Sequence, residues 1–333
     1  KILVNKSLTL LQNYDNLLPL ERLDTLKIAS LSIGESNNDV NLFQRTLSHY
    51  APVKNYSISS DATINEQAIL LDNLLEYNLV IISIHKSNET AWESYKISRN
   101  VDILLQSIAL QNKTILSIFS NPYSINSFLF VNNFDALLLC YQNSSVAQKK
   151  AAQSIFGGTD LSGTLPVSTK HFDIKSGINT SKIRMGYVDY SEVNIKDSLL
   201  YKIDSIVSTA ISNKAMPGCQ ILIARDGNVF FNKSYGYHTY EKKQKVSNSD
   251  VYDLASITKI AATLPILMRM VDNNDIDLYD NLGNHLDFNI GDKNDLVLRD
   301  ILAHQSGLKP WIPFYQETLV KDSVSGLLNL RET

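Results

Sequence analysis

The stretch Leu79-Val80-Ile81-Ile82-Ser83-Ile84-His85 runs the length of a β-strand with little to interrupt its apolar side chains. Lys27–Ile33, Thr114–Phe119 and Ala136–Cys140 are runs of the same kind. Between them lie amphipathic stretches near Asn41–Tyr50, Ile64–Leu75, Trp92–Leu110 and Val146–Phe156. A strand that is apolar on both faces must be covered on both, and alternation with helices supplies the cover. The pattern predicts an α/β fold, a parallel-sheet three-layer sandwich. Ser144 or Ser145 can cap the last helix, and Gly157-Gly158 ends it.

The 333 residues predict about two domains, and the 44% hydrophobic and 20% charged content is that of an ordinary globular chain. A net charge of −3 and the lack of a clustered Lys/Arg face argue against a nucleic-acid partner. The longest apolar run falls well short of the roughly 18 residues that span a bilayer. Cys140 and Cys219 have no metal-like spacing and read as buried or incidental thiols, with a disulfide between them as the alternative. Neither a metal nor a cofactor is expected. The chain starts at Lys1 with an apolar pattern already under way over Ile2–Leu11, and Gly326–Thr333 has no tail-like character. These ends read as those of an internal piece of a longer protein.

Regular patterning fades near Phe172, so residues 171–195 are expected to form a linker between a domain at 1–170 and a second at 196–333. Apolar residues at 199, 200, 203, 206, 207, 210 and 211 then mark an amphipathic helix. Gln220–Arg225 and Val229–Lys233 read as strands joined at Asp226-Gly227, a strong hairpin signal. The segment from Ser256 to about Asp272 reads as helical, with a kink expected at Pro265.

Ser256 and Lys259 carry the chemistry. A serine three residues ahead of a lysine at a helix opening puts the amine beside the hydroxyl, as acyl-accepting serines require. The bare spacing also occurs at Ser83/Lys86 and Ser306/Lys309. Strand alternation would part the first of these, and Gly307 puts the second in a turn. Only at Ser256 do positions i and i+3 share a helix face, with N-terminal N–H groups available to an oxyanion. The plainer reading makes Ser256 an N-cap and Lys259 a solvated helix residue.

Residues 194–311 resemble the serine β-lactamase and penicillin-binding-protein-like family, nearest the class C enzymes and related esterases. The matching residues include Pro217-Gly218-Cys219-Gln220, Ala224-Arg225-Asp226-Gly227, Ser234-Tyr235-Gly236-Tyr237 and Asp253-Leu254-Ala255-Ser256-Ile257-Thr258-Lys259. Ile276-Asp277-Leu278 and Leu302-Ala303-His304-Gln305-Ser306-Gly307-Leu308 continue the match. The resemblance puts the nucleophile at Ser256 and the helix lysine at Lys259, and makes His304–Leu308 a structural loop. The family's Tyr-x-Asn motif has no counterpart, since Tyr315 is followed by Gln316-Glu317. The resemblance therefore implies an incomplete α+β β-lactamase-like domain, with its catalytic tyrosine beyond Thr333. With roughly 140 residues of such a domain present, the second half alone is expected to be inactive, with apolar surface exposed.

Residues 1–170 resemble the C-terminal α/β sandwich domain of glycoside hydrolase family 3, bacterial β-N-acetylglucosaminidases above all. Lys6 to Asn13 with Leu17-Leu18-Pro19-Leu20, then Phe119-Ser120-Asn121-Pro122-Tyr123, carry the likeness. So do Ala147-Gln148 through Phe156-Gly157-Gly158, and Gly163-Thr164-Leu165-Pro166-Val167-Ser168. In that family the catalytic residues sit on a preceding (β/α)8 barrel, so none carries over. Asp160 and Glu89 are the best-placed local carboxylates, but a sugar-cleaving pair needs a separation that sequence does not fix.

The two resemblances together imply a fragment of a bifunctional bacterial hydrolase, periplasmic or at the cell surface. Its partners would be a β-linked N-acetylglucosamine-containing glycan, a peptidoglycan peptide, and the barrel and C-terminal remainder of the same polypeptide. Trp311 is a candidate for lining the acyl-substrate cleft, with interior packing as the alternative. The rival expectations are a catalytically degenerate peptidoglycan-binding module, and a glycosidase with a passenger β-lactamase-like domain.

Overall fold

In the computed structural model of the chain, which describes residues 1–34, 40–86, 95–313, 319–321 and 328–330, the run 79–85 lies inside a six-stranded sheet. The order is α1 (Ile2–Ser7), β1 (Thr9–Asn13), β2 (Ile28–Ile33), α2 (Leu42–Leu47), β3 (Val53–Ile58), α3 (Ile64–Leu74) and β4 (Leu79–His85). It continues with α4 (Arg99–Gln111), β5 (Lys113–Phe119), β6 (Ala136–Leu139) and α5 (Ser145–Ile155). The spatial order is β1-β6-β5-β4-β2-β3, parallel throughout except for β1, which runs antiparallel to β6 at one edge.

Every residue of β4 is buried, as an apolar run without alternation requires. Ile82, Leu31 and Leu116 face one layer with Leu70, Leu105 and Ile108 from α3 and α4. Ile81, Ile115 and Leu138 face the other with Phe43, Leu47 and Ala151 from α2 and α5. The fold is the expected α/β sandwich. Local signals set the helix starts. Asn41 with Gln44 and Thr63 with Glu66 form capping boxes, and Ser144, not Ser145, caps α5 by accepting from Ala147 N–H at 3.3 Å. The helix expected from Trp92 begins at Arg99, where Ser98 caps it; positions 92–94 lie outside the described residues.

Residues 171–195, expected as a linker, are bonded back to the sandwich. Ile178 N–H donates to the Leu10 carbonyl at 2.8 Å, and Ile183 and Arg184 N–H both donate to the Gly157 carbonyl at 2.9 Å. The Arg184 guanidinium donates to the carbonyls of Phe156 at 2.9 Å and Glu21 at 2.7 Å. Gly157 is required here: its φ is +70°, and a Cβ would come within 2.4 Å of Ile183. The short strand β7 (Gly186–Tyr187) is held by Gln153 of α5, which bonds both the N–H and the carbonyl of Tyr187 at 2.8 Å.

Beyond this strap come α6 (Asp197–Ser212), β8 (Gly218–Arg225) and β9 (Asn228–Gly236). β8 and β9 form the expected hairpin, with Asp226 and Gly227 both at positive φ, 50° and 70°, as a two-residue turn of this hand demands. Cys140 and Cys219 are both free thiols. Compactness divides the chain between Ser249 and Asp250, so the strap and the hairpin go with the sandwich. The second unit, Asp250–Thr333, holds α7 (Leu264–Asp272), α8 (Leu298–Leu302) and an antiparallel pair, β10 (Leu319–Lys321) and β11 (Leu328–Leu330).

Candidate active site

Ser256 sits where an extended segment turns into helix. The Asp253 carboxylate accepts from Ala255 N–H at 2.6 Å, and Ile257 N–H donates to the Leu254 carbonyl at 2.9 Å, closing a 3-10 turn over Ala255–Ile257. Ala255 carries a φ of +44°, a left-handed conformation that costs a residue with a Cβ on the order of 1–2 kcal/mol. The strained residue stands directly before the serine and sets the direction in which Ser256 leaves the turn. Ser256 is not the cap of this turn; that position is Leu254, which makes no side-chain capping bond.

After Thr258 the chain continues as a π-helical turn over Lys259–Thr263 and then as α7. Pro265 lies in the first turn of α7, where its missing N–H breaks no ladder bond, so the irregularity expected at Pro265 falls just ahead of it. The i to i+3 spacing brings the pair together: Lys259 Nζ donates to Ser256 Oγ at 3.2 Å. Both side chains are exposed, as are Ile257, Ile260, Leu264, Ile266 and Met268 around them. A hydroxyl in reach of an amine, with the Ser256 N–H at the start of a helical turn, has the parts for nucleophilic attack on a carbonyl.

The other candidates fall elsewhere. Trp311 lies in the extended segment after α8 with 66% of its surface exposed, and it takes no part in the hydrogen bond of the pair. His304 is a structural residue: at φ +57° it ends α8, its N–H donating to Ile301 and that of Gln305 to Asp300. Asp160 accepts from Lys6 Nζ at 3.0 Å and Asn5 Nδ2 at 3.4 Å, and the Lys6 ammonium holds its pKa below the usual carboxylate range. It ties α1 to the end of the sandwich. Glu89 and Tyr315 lie outside the described residues. Among the described residues no three His, Cys, Asp or Glu side chains converge as metal ligands, and no helix is long and apolar enough to cross a membrane. Sequence reasoning missed the left-handed Ala255, because nothing in the residue type signals positive φ.

Residues 203–322 match the Beta-lactamase family. Protein flp of Staphylococcus aureus (strain MRSA252) is 33% identical over 112 residues, which cover 32% of this chain and 22% of that protein. N-acetylmuramyl-L-alanine amidase of Bacillus subtilis (strain 168) is 30% identical over 130 residues, covering 35% of this chain and 29% of the relative. This chain therefore spans less than a third of the length of these relatives. Among solved structures, a glycoside hydrolase family 3 β-N-acetylglucosaminidase from Paenibacillus sp. str. FPU-7 aligns with a TM-score of 0.39 and 18% identity, over 49% of this chain and 30% of that one. A GH3 β-glucosidase from Bifidobacterium adolescentis gives 0.38 and 20%, over 49% and 28%.

Proposed function

We propose that the second half of this chain acts as a serine acyl hydrolase on an ester, an amide or a peptidoglycan-derived peptide. The observation that carries this reading is the 3.2 Å bond from Lys259 Nζ to Ser256 Oγ within the stretch that matches the β-lactamase family. Ser256 Oγ attacks the carbonyl carbon as its proton passes to Lys259, and the Ser256 N–H donates to the oxyanion. The proton then goes to the departing alcohol or amine, and water hydrolyses the acyl-enzyme. Proton transfer of this kind contributes about 10²–10⁴ in rate. A lysine serves as base only where burial or a cationic neighbour lowers its pKa. Substrate or further chain would have to close over the exposed pair.

The first half we read as the sandwich domain of a β-N-acetylglucosaminidase-type family 3 hydrolase. A preceding barrel would supply the sugar chemistry. The support is the sequence resemblance and the matching parallel sandwich. A wall polymer bearing both β-linked amino sugars and peptide bonds would offer substrates to both halves, and a parent protein acting on it would work in the periplasm or at the cell surface. The Bacillus relative is named an N-acetylmuramyl-L-alanine amidase.

The test is turnover by the native protein of a small ester, a peptidoglycan stem peptide and a chitooligosaccharide, with and without Ser256→Ala. Loss of ester or peptide cleavage alone in Ser256→Ala supports two separate activities. Sugar cleavage with no acyl cleavage in either form would make the second half a passenger. No turnover but retained binding of peptidoglycan would make it a binding module.

A further inference from the structure

Within the first unit, α2, α5, the strap around β7, and β9 line a half-open cavity of about 480 Å³. That volume lies in the range of small-molecule sites. It is walled by more cations than anions. Lys1, Arg45, Lys149 and Lys150 line it against Asp189 and Glu192. Both carboxylates are already engaged. Lys1 bonds Asp189 and reaches Glu192 at 3.1 Å, and Lys149 lies 3.8 Å from Asp189. Arg45 and Lys150 are left with no ion pair and no side-chain hydrogen bond among the described residues. Lys150 is half-buried, and burial pushes its pKa below that of an ordinary lysine. The charges of Glu192 and Asp189 reach Lys150 without forming an ion pair with it, and an anion entering the cavity would give it a counter-ion in direct contact.

The rest of the wall mixes polar side chains, Thr46, Ser145, Gln153 and Asn232, with aromatic and apolar ones. The His49 imidazole stacks on the Tyr187 ring with centroids 4.5 Å apart and planes 19° off parallel. Tyr187 is fixed from three sides: its hydroxyl donates to the His49 carbonyl at 3.2 Å, Gln153 holds its backbone, and Tyr50 meets it edge-on. Val229 and Phe231 of β9 add buried apolar surface. Fixed aromatic rings beside unpaired cations suit a ligand with one charged end and one ring-shaped body.

We propose that this cavity binds an anionic sugar of monosaccharide size, with Arg45 and Lys150 holding its carboxylate or phosphate and the His49–Tyr187 stack lying against its ring. The site is separate from Ser256 and does not depend on the acyl-transfer reading. Arg presents a fork that matches either anion, and charge-assisted bonds of this type are the stronger ones.

The test is calorimetric titration of the 333-residue chain with glucuronate, glucose 6-phosphate, inorganic phosphate and glucose. At least one anionic sugar is expected to bind roughly tenfold or more tighter than glucose and than phosphate alone. Which of the two binds identifies a carboxylate or a phosphate ligand. Arg45→Gln and Lys150→Gln should each weaken that sugar by roughly tenfold, and His49→Ala should weaken it while leaving inorganic phosphate unaffected. Arg45 is exposed, so its variant keeps the fold and the test stands even if Lys150→Gln does not fold. Absence of sugar binding, equal binding of glucose, phosphate binding as tight as glucose 6-phosphate, or unchanged affinity in Arg45→Gln would overturn the proposal.

Discussion

The sheet of the first unit and the Ser256 helix of the second are both rich in apolar side chains, and they treat them in opposite ways. Along β4 every side chain is buried between two helical layers. From Ile257 to Met268 the large apolar side chains stay exposed, apart from the half-buried Leu267. Apolar sequence alone therefore does not measure how strongly a segment is held. Burial does, because the stabilisation scales with the apolar area removed from water.

The largest test of that contrast is truncation in the two places. Ile82→Ala, at a position with no exposure, should cost about 2–5 kcal/mol in urea unfolding. Ile260→Ala, 65% exposed, should stay within about 0.5 kcal/mol. Equal costs would mean that the Ser256 helix is covered in solution. The strap comes next. Arg184→Ala removes charge-assisted bonds to Phe156 and Glu21 and should cost about 2–3 kcal/mol, with new protease cuts over 171–195. A true linker would show neither effect.

A smaller effect follows from Asp160 and Asp189, whose folded pKa values are held below the usual carboxylate range by Lys6 and Lys1 respectively. A depressed carboxylate contributes stability that is full above its unfolded pKa and lost as pH falls through the folded one. Stability should therefore drop below about pH 4, by less than about 1 kcal/mol per exposed pair. Asp160→Asn should remove its share of that drop in pH-dependent melting. Smallest of all, Ala255→Gly should relieve the left-handed strain and raise stability by up to about 1 kcal/mol, offset by glycine's greater freedom when unfolded.

The sandwich was legible because its strands are apolar on both faces, its helices carry Asn41, Thr63 and Ser144 at their starts, and Asp226-Gly227 declares its hairpin. The strap was not. Residues 171–195 hold on through backbone bonds and Arg184, and main-chain pairing leaves no periodicity to read. In the site, spacing announced the Ser256–Lys259 contact, since i and i+3 adjoin on any helical turn. The π-helical turn after Lys259 and the positive φ of Ala255 were invisible, because both are backbone choices that ordinary residues accept under constraint. The cavity lined by Arg45 and Lys150 was hidden for another reason: its walls come from segments far apart in sequence.

The most direct measurement is intact-mass and peptide-resolved labelling of the native protein by a fluorophosphonate, followed over time in wild type, Ser256→Ala and Lys259→Ala. An activated nucleophile predicts one adduct on the peptide containing Ser256, absent in Ser256→Ala and formed about 10²–10⁴ times more slowly in Lys259→Ala. Labelling that is spread over other serines, or unchanged by either substitution, would contradict it.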